Sequence, residues 1–111
     1  MGLKASRVGT ARLGEVVASG RVARTAIFIG KALPSKVFRF SVLSPKKNFP
    51  DASTRNRVRR RCREAFRAAA VSGEVSVDLI VTARPEALSV DFKTLVSEAS
   101  ELLGCYSTKP Q

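Results

Sequence analysis

"RNRVRRRCREAFRAAA", residues 55–70, carries seven arginines in its first thirteen positions and then turns apolar. At 100° per residue, Val58, Cys62, Ala65, Phe66 and Ala69 fall within roughly 80–100° of arc, which makes one apolar stripe. The stretch therefore reads as an amphipathic helix that packs one face on a core and turns Arg57, Arg60, Arg63 and Arg67 away from it. Gly73 is its expected stop. The preceding "SPKKNFPDAST", 44–54, is rich in turn formers, so it reads as a loop with Ser53 or Thr54 as the helix cap.

The flanking segments set the topology. "KVFRFSVL", 36–43, alternates: Phe38, Phe40 and Val42 face one way, and Val37, Arg39 and Ser41 the other, as on a strand. "VSVDLIVTA", 75–83, is an apolar-centred strand closed by Arg84 and Pro85. A strand, a helix and a strand in succession predict a parallel pair. Upstream, "VARTAIFIG", 22–30, reads as one strand ending at Gly30, and "LPS", 33–35, as a turn that makes a hairpin with the strand at 36–43.

Two further helices complete the pattern. The first, 11–19, spaces Leu13, Val16 and Val17 at i, i+3 and i+4, with Thr10 as cap and Gly20 as stop. The last, about 90–103, puts Phe92, Leu95, Val96, Ala99, Leu102 and Leu103 on one face, with Asp91 near its N-terminal end. The order helix, strand, strand, helix, strand, helix predicts a two-layer α/β sandwich with a small mixed sheet.

A chain of 111 residues accommodates one core, so residues 1–111 read as a single domain, ordered from about 10 to 104 with short flexible termini. Its 44% apolar content is well above that of a disordered chain, so the charge excess sits on a folded body. That excess is large: a net +11 and a pI near 10.9. It is also uneven, +14 over residues 1–70 and −3 over 71–111. A polyanionic partner is implied, and its contact surface belongs to the first two thirds of the chain.

Packing does not account for the arginines, because a salt-bridged solvent face needs acids at i±4 and only Glu64 is near. Guanidinium is planar, permanently charged and able to donate two parallel hydrogen bonds, which matches phosphate oxygens. Asn56 can both donate and accept, or serve in a cap. Lys46 and Lys47 extend the basic surface from the loop. Cys62 reads as a core residue; two cysteines without CxxC spacing, in a chain with no histidine, argue against zinc. With no export leader and no apolar run near about 18 residues, a cytoplasmic location is expected.

"RNRVRRRCREAFR" resembles the signature helix of the protein subunit of bacterial ribonuclease P, which runs Arg-Asn-Arg, apolar, Lys-Arg, two apolar residues, then Arg-Glu-Ala-Phe-Arg. Arg55, Asn56, Arg57, Arg60, Arg63, Glu64, Ala65, Phe66 and Arg67 match. Arg59 replaces the lysine, Cys62 keeps the second apolar position, and Arg61 departs from the pattern. "KKN" at 46–48 and "DLIVTARP" at 78–85 are also similar to family segments, so the likeness spans about 36–103. The resemblance implies a catalytic RNA that removes the 5′ leader of precursor tRNA, with magnesium held mainly by RNA and none by the protein alone.

On that reading Arg55, Asn56, Arg57, Arg59 and Arg60 dock on the catalytic RNA, and Lys46, Lys47, Arg63 and Arg67 add phosphate contacts. Family members carry aromatic residues on the first helix, lining a cleft for the leader; Leu13 and Val17 hold those places here, and Phe28 is the nearest aromatic substitute. Protein-only cleavage is disfavoured by the absence of histidine and by nine scattered acids. A structural RNA-binding protein of ribosomal type is the alternative. DNA recognition is disfavoured because no helix-turn-helix partner precedes the arginine segment.

Overall fold

The computed structural model describes residues 8–70 and 75–106. The elements run α1 (Thr10–Ser19), β1 (Arg21–Arg24), β2 (Phe28–Pro34), β3 (Arg39–Leu43), α2 (Ala52–Ala69), β4 (Val77–Ala83), a 3₁₀ turn (Pro85–Leu88) and α3 (Phe92–Gly104). The four strands form one mixed sheet in the order β1-β2-β4-β3. The β3-α2-β4 unit is parallel as expected, with Phe40 beside Leu79 and Val42 beside Val81. The expected termini and the stop at Gly73 lie at least in part outside the described residues.

Two expectations about the first half are corrected. Residues 22–30 are not one strand, because Thr25 turns the chain: its hydroxyl accepts from the Ile27 and Phe28 amides and its own amide donates to the Phe28 carbonyl. This short side-chain-organised turn makes β1 and β2 the hairpin. Nor does β2 pair with β3, since β4 inserts between them, antiparallel to β2 and parallel to β3. The most apolar strand takes the position covered on both faces, which satisfies its backbone and its side chains together.

The main core lies between the sheet and the α2/α3 layer. Phe66 of α2 meets Phe28 edge-on at 4.9 Å between ring centroids and Phe40 at 5.8 Å, with Leu79, Leu95 and Leu102 buried around them. Gly30 lets α3 approach, since a Cβ there would sit 3.1 Å from Leu102. On the opposite face α1 covers part of the sheet through Val16, which packs with Val8 and Ile80, flanked by Leu13 and Leu33. Gly20 ends α1 because space demands it: a Cβ would lie 2.4 Å from the Val16 carbonyl.

Asp78 is the exception in the apolar run of β4. It is fully buried, yet Arg12 of α1 donates to it at 2.7 Å and Arg39 of β3 at 2.7 and 2.8 Å. Burial pushes its pKa up, but the hydrogen bonds from Arg39 and Arg12 outweigh that and hold it below the usual carboxylate range. The Arg12 bridge fastens α1 to the sheet, and the Arg39 bridge ties β3 to β4. The helix caps also differ from expectation: Gly9 precedes α1, so Thr10 is its first residue, and Asp51 rather than Ser53 or Thr54 caps α2 by accepting from the Thr54 amide. A carboxylate satisfies that amide and faces the positive end of the helix.

Candidate nucleic-acid interface

Helix α2 buries Val58, Cys62, Ala65 and Phe66, the predicted stripe, and its seven arginines then divide by what they touch. Arg55 donates to the carbonyls of Phe49 and Pro50, which closes the preceding loop onto the helix. Arg59 donates to the buried Ser44 hydroxyl and to the Asn56 side-chain oxygen. Arg61 donates to the carbonyls of Ala87 and Val90. Arg57, Arg60 and Arg67 are exposed and form no hydrogen bond or ion pair with a described residue. They lie within about 80° of one another around the helix axis, on the side away from the core.

Thus the outward face of α2 carries Asn56, Arg57, Arg60 and Arg67, with Arg59 and Arg63 along one flank. Lys46 and Lys47 are exposed in the turn leading to the helix, and Asn48 anchors that turn by donating to the Ala83 carbonyl at 3.1 Å. Asp51 is held below the ordinary carboxylate range, chiefly by the Thr54 amide, so it stays ionised as a cap. Burial pushes the Cys62 thiol up to about 12, so it is a core group without nucleophilic character.

A second feature adjoins this face. Helix α1 covers Ile80 and Leu33 but leaves open the row formed by Arg24, Ile29, Thr82 and Leu43, one residue from each strand in register. The middle of the row, Ile29 and Thr82, opens into a hollow of about 480 Å³ bounded by Lys47, Asn48, Arg84, Pro85 and Glu86. Its Leu43 end adjoins a groove of about 250 Å³ where Arg59 and Arg63 face Val8, Leu13, Ser41 and Leu43. Ile29 and Leu43, with Thr82 between them, thus lie between Lys47 and Arg84 on one side and Arg59 and Arg63 on the other.

The expected leader-binding residues are placed differently from one another. Leu13 is half-buried and lines the smaller groove. Val17 stands on α1 with 45% of its surface exposed. Phe28 is corrected: with no exposed surface it belongs to the core, because the turn at Thr25 sets the strand parity so that Ile29, not Phe28, faces the open side. Ile29, Thr82 and Leu43 were missed for the same reason, since their common face depends on the strand order. The internal ties of Arg55 and Arg59 have no sequence signal, whereas the departure of Arg61 from the family pattern is one.

The ribonuclease P family model matches residues 9–107, nearly the whole chain. This chain belongs to the ribonuclease P protein family. Among solved structures, the Staphylococcus aureus RNase P protein superposes with a TM-score of 0.74 at 22% identity, covering 92% of this chain and 95% of that one. The Thermotoga maritima RNase P protein gives 0.73 at 22% identity, covering 96% and 99%. These likenesses establish the shared fold. No curated protein sequence matches the chain. Family membership makes the chain a subunit of the tRNA-processing enzyme ribonuclease P and implies an RNA subunit as its partner. Among the described residues no helix is long and apolar enough to cross a membrane.

Proposed function

We propose that the chain docks on the catalytic RNA through the outward face of α2 and holds the 5′ leader of precursor tRNA on the open face of the sheet, while the RNA performs the hydrolysis. The observation that carries this is the set of exposed arginines, Arg57, Arg60 and Arg67, that form no hydrogen bond or ion pair with a described residue and share a helix with Arg59 and Arg63, which border the grooved open side of the sheet. A guanidinium left without an internal acceptor is matched by a phosphate. Arg63, Lys46 and Lys47 add contacts at the flank and in the loop. Arg55 and Arg59 act in this reading both as braces of the loop and, through their remaining N–H groups, as donors to RNA.

In this reading the hydrolysis belongs to the RNA. Among the described residues no group of three or more histidines, cysteines and carboxylates could hold a metal ion. The protein's contribution is electrostatic: it lowers the repulsion between two polyanions, catalytic RNA and substrate. In the cleft, Ile29, Leu43 and Leu13 offer aliphatic surface where a flat ring would stack on a base, so leader binding rests on sugar and phosphate contacts and has little base preference. The test is holoenzyme affinity for precursor against mature tRNA. Tighter binding of the precursor is expected; equal binding would remove the leader from the account.

A further inference from the structure

Arg61 stands where the family pattern has an apolar residue, and its guanidinium spans from α2 to the segment that walls the larger hollow. One amino group donates to the Ala87 carbonyl at 2.9 Å and the other to the Val90 carbonyl at 2.6 Å. Within that segment Ala87 and Ser89 donate their amides to Arg84 and Glu86, so the turn is closed on itself. Beyond the packing of Ala87 in the core, it is hydrogen-bonded from outside at two places: by the Arg84 amide on the Ile27 carbonyl at 2.9 Å, and by Arg61. Arg84 and Glu86 of the same turn face Lys47 across the hollow.

We propose that Arg61 is a positioning residue for the leader cleft, coupling the RNA-docking helix to the Arg84–Glu86 wall. The inference rests on the leader reading given above. A planar fork can satisfy two carbonyls at once and fix their direction, whereas leucine, the residue type the pattern calls for, would pack at the same place and supply no donor. Both carbonyls would then turn toward water and the 3₁₀ turn would lose its hydrogen-bonded tie to α2, keeping only the packing of Ala87 in the core. Because the Arg61 side chain is spent on these carbonyls, its loss leaves the outward arginines in place.

The experiment compares wild type, Arg61→Leu and Arg61→Lys as reconstituted holoenzyme with a bacterial ribonuclease P RNA, measuring the ratio of affinities for precursor and mature tRNA. Arg61→Leu should reduce that ratio by about tenfold while leaving the protein's affinity for the RNA subunit within about twofold. Arg61→Lys, which can reach one carbonyl, should retain an intermediate ratio. A residue that only stabilised the fold would lower the melting temperature and leave the ratio alone. A normal wild-type ratio that survives Arg61→Leu overturns this inference and spares the leader reading; a wild-type ratio near one sinks both. Amide exchange on the free protein gives a readout without RNA: the Ala87 and Ser89 amides should exchange about tenfold faster in Arg61→Leu, and unchanged rates would refute the clamp. If Arg61→Leu does not fold, Arg61→Gln carries the same two measurements.

Discussion

Replacing Arg57, Arg60 and Arg67 together by alanine separates RNA binding from folding. All three are exposed and form no hydrogen bond or ion pair with a described residue, Arg57 sensing only the field of Asp51, so unfolding of the free protein should change by no more than about 0.5 kcal/mol. In the complex each charge-assisted phosphate contact contributes about 1–2 kcal/mol. Arg67 lies about two turns from Arg60 and adds nearly independently, whereas Arg57 and Arg60 are one turn apart and couple, so affinity should fall by roughly 10²- to 10⁴-fold. Each neutralised phosphate also releases a counterion, adding about 0.7–0.9 to the slope of log affinity against log salt. The variant should therefore lose about two to three from that slope. The assay is anisotropy of labelled catalytic RNA titrated with protein at several potassium chloride concentrations and fixed magnesium. An unchanged affinity and slope would refute the docking face, and a loss of affinity without a change in slope would refute its phosphate basis.

Three other outcomes follow from the same geometry. Asp78→Ala removes both ion bridges but leaves Arg12 and Arg39 partly exposed and able to turn to water, so it should cost about 1–3 kcal/mol by urea unfolding at neutral pH. Since the native pKa of Asp78 lies below its unfolded value, that stabilisation is present above about pH 4 and is lost as pH falls through the native pKa, so wild type and variant should converge in acid. Phe66→Ala removes a fully buried ring between Phe28 and Phe40 and should cost about 3–5 kcal/mol, with RNA affinity of the folded fraction unchanged. Val17→Phe, at an exposed site on α1, should tighten precursor binding by about 1 kcal/mol if a stacking surface is what the cleft lacks, measured by the precursor-to-mature affinity ratio.

The parallel β3-α2-β4 unit was legible because its signals are periodic: alternation in 36–43, a stripe in 55–70 and an apolar run in 75–83. The hairpin was not, because the turn that makes it uses the Thr25 hydroxyl where glycine, asparagine or proline would have marked it. Phe28 is a candidate for a separate reason, as the nearest aromatic under the family resemblance, and its place in the core follows from the observed strand pairing. Joining β1 to β2 left β3 as the apparent partner of the merged strand. Sequence adjacency favours such a pairing; the gain from placing the apolar β4 in the centre overrides it.

The arginine face was legible for a different reason. Seven like charges with only Asp51 and Glu64 near cannot be explained by the helix itself, whatever the fold around it. What the pattern could not show is that Arg55, Arg59 and Arg61 spend part of their donor capacity on loop carbonyls and a buried hydroxyl. Those contacts are made between residues up to 29 positions apart and exist only once the 3₁₀ turn and the loop before α2 are in place. The Asp78 clamp was hidden likewise, since Arg12 reaches it across 66 positions.

The most direct test of the central claim is cleavage of labelled precursor tRNA by a bacterial ribonuclease P RNA at low magnesium, with and without this protein. The account predicts that adding the protein raises cleavage at the mature 5′ end under conditions where the RNA alone is nearly inactive. Tight binding of the protein to the RNA with no rise in cleavage would contradict it.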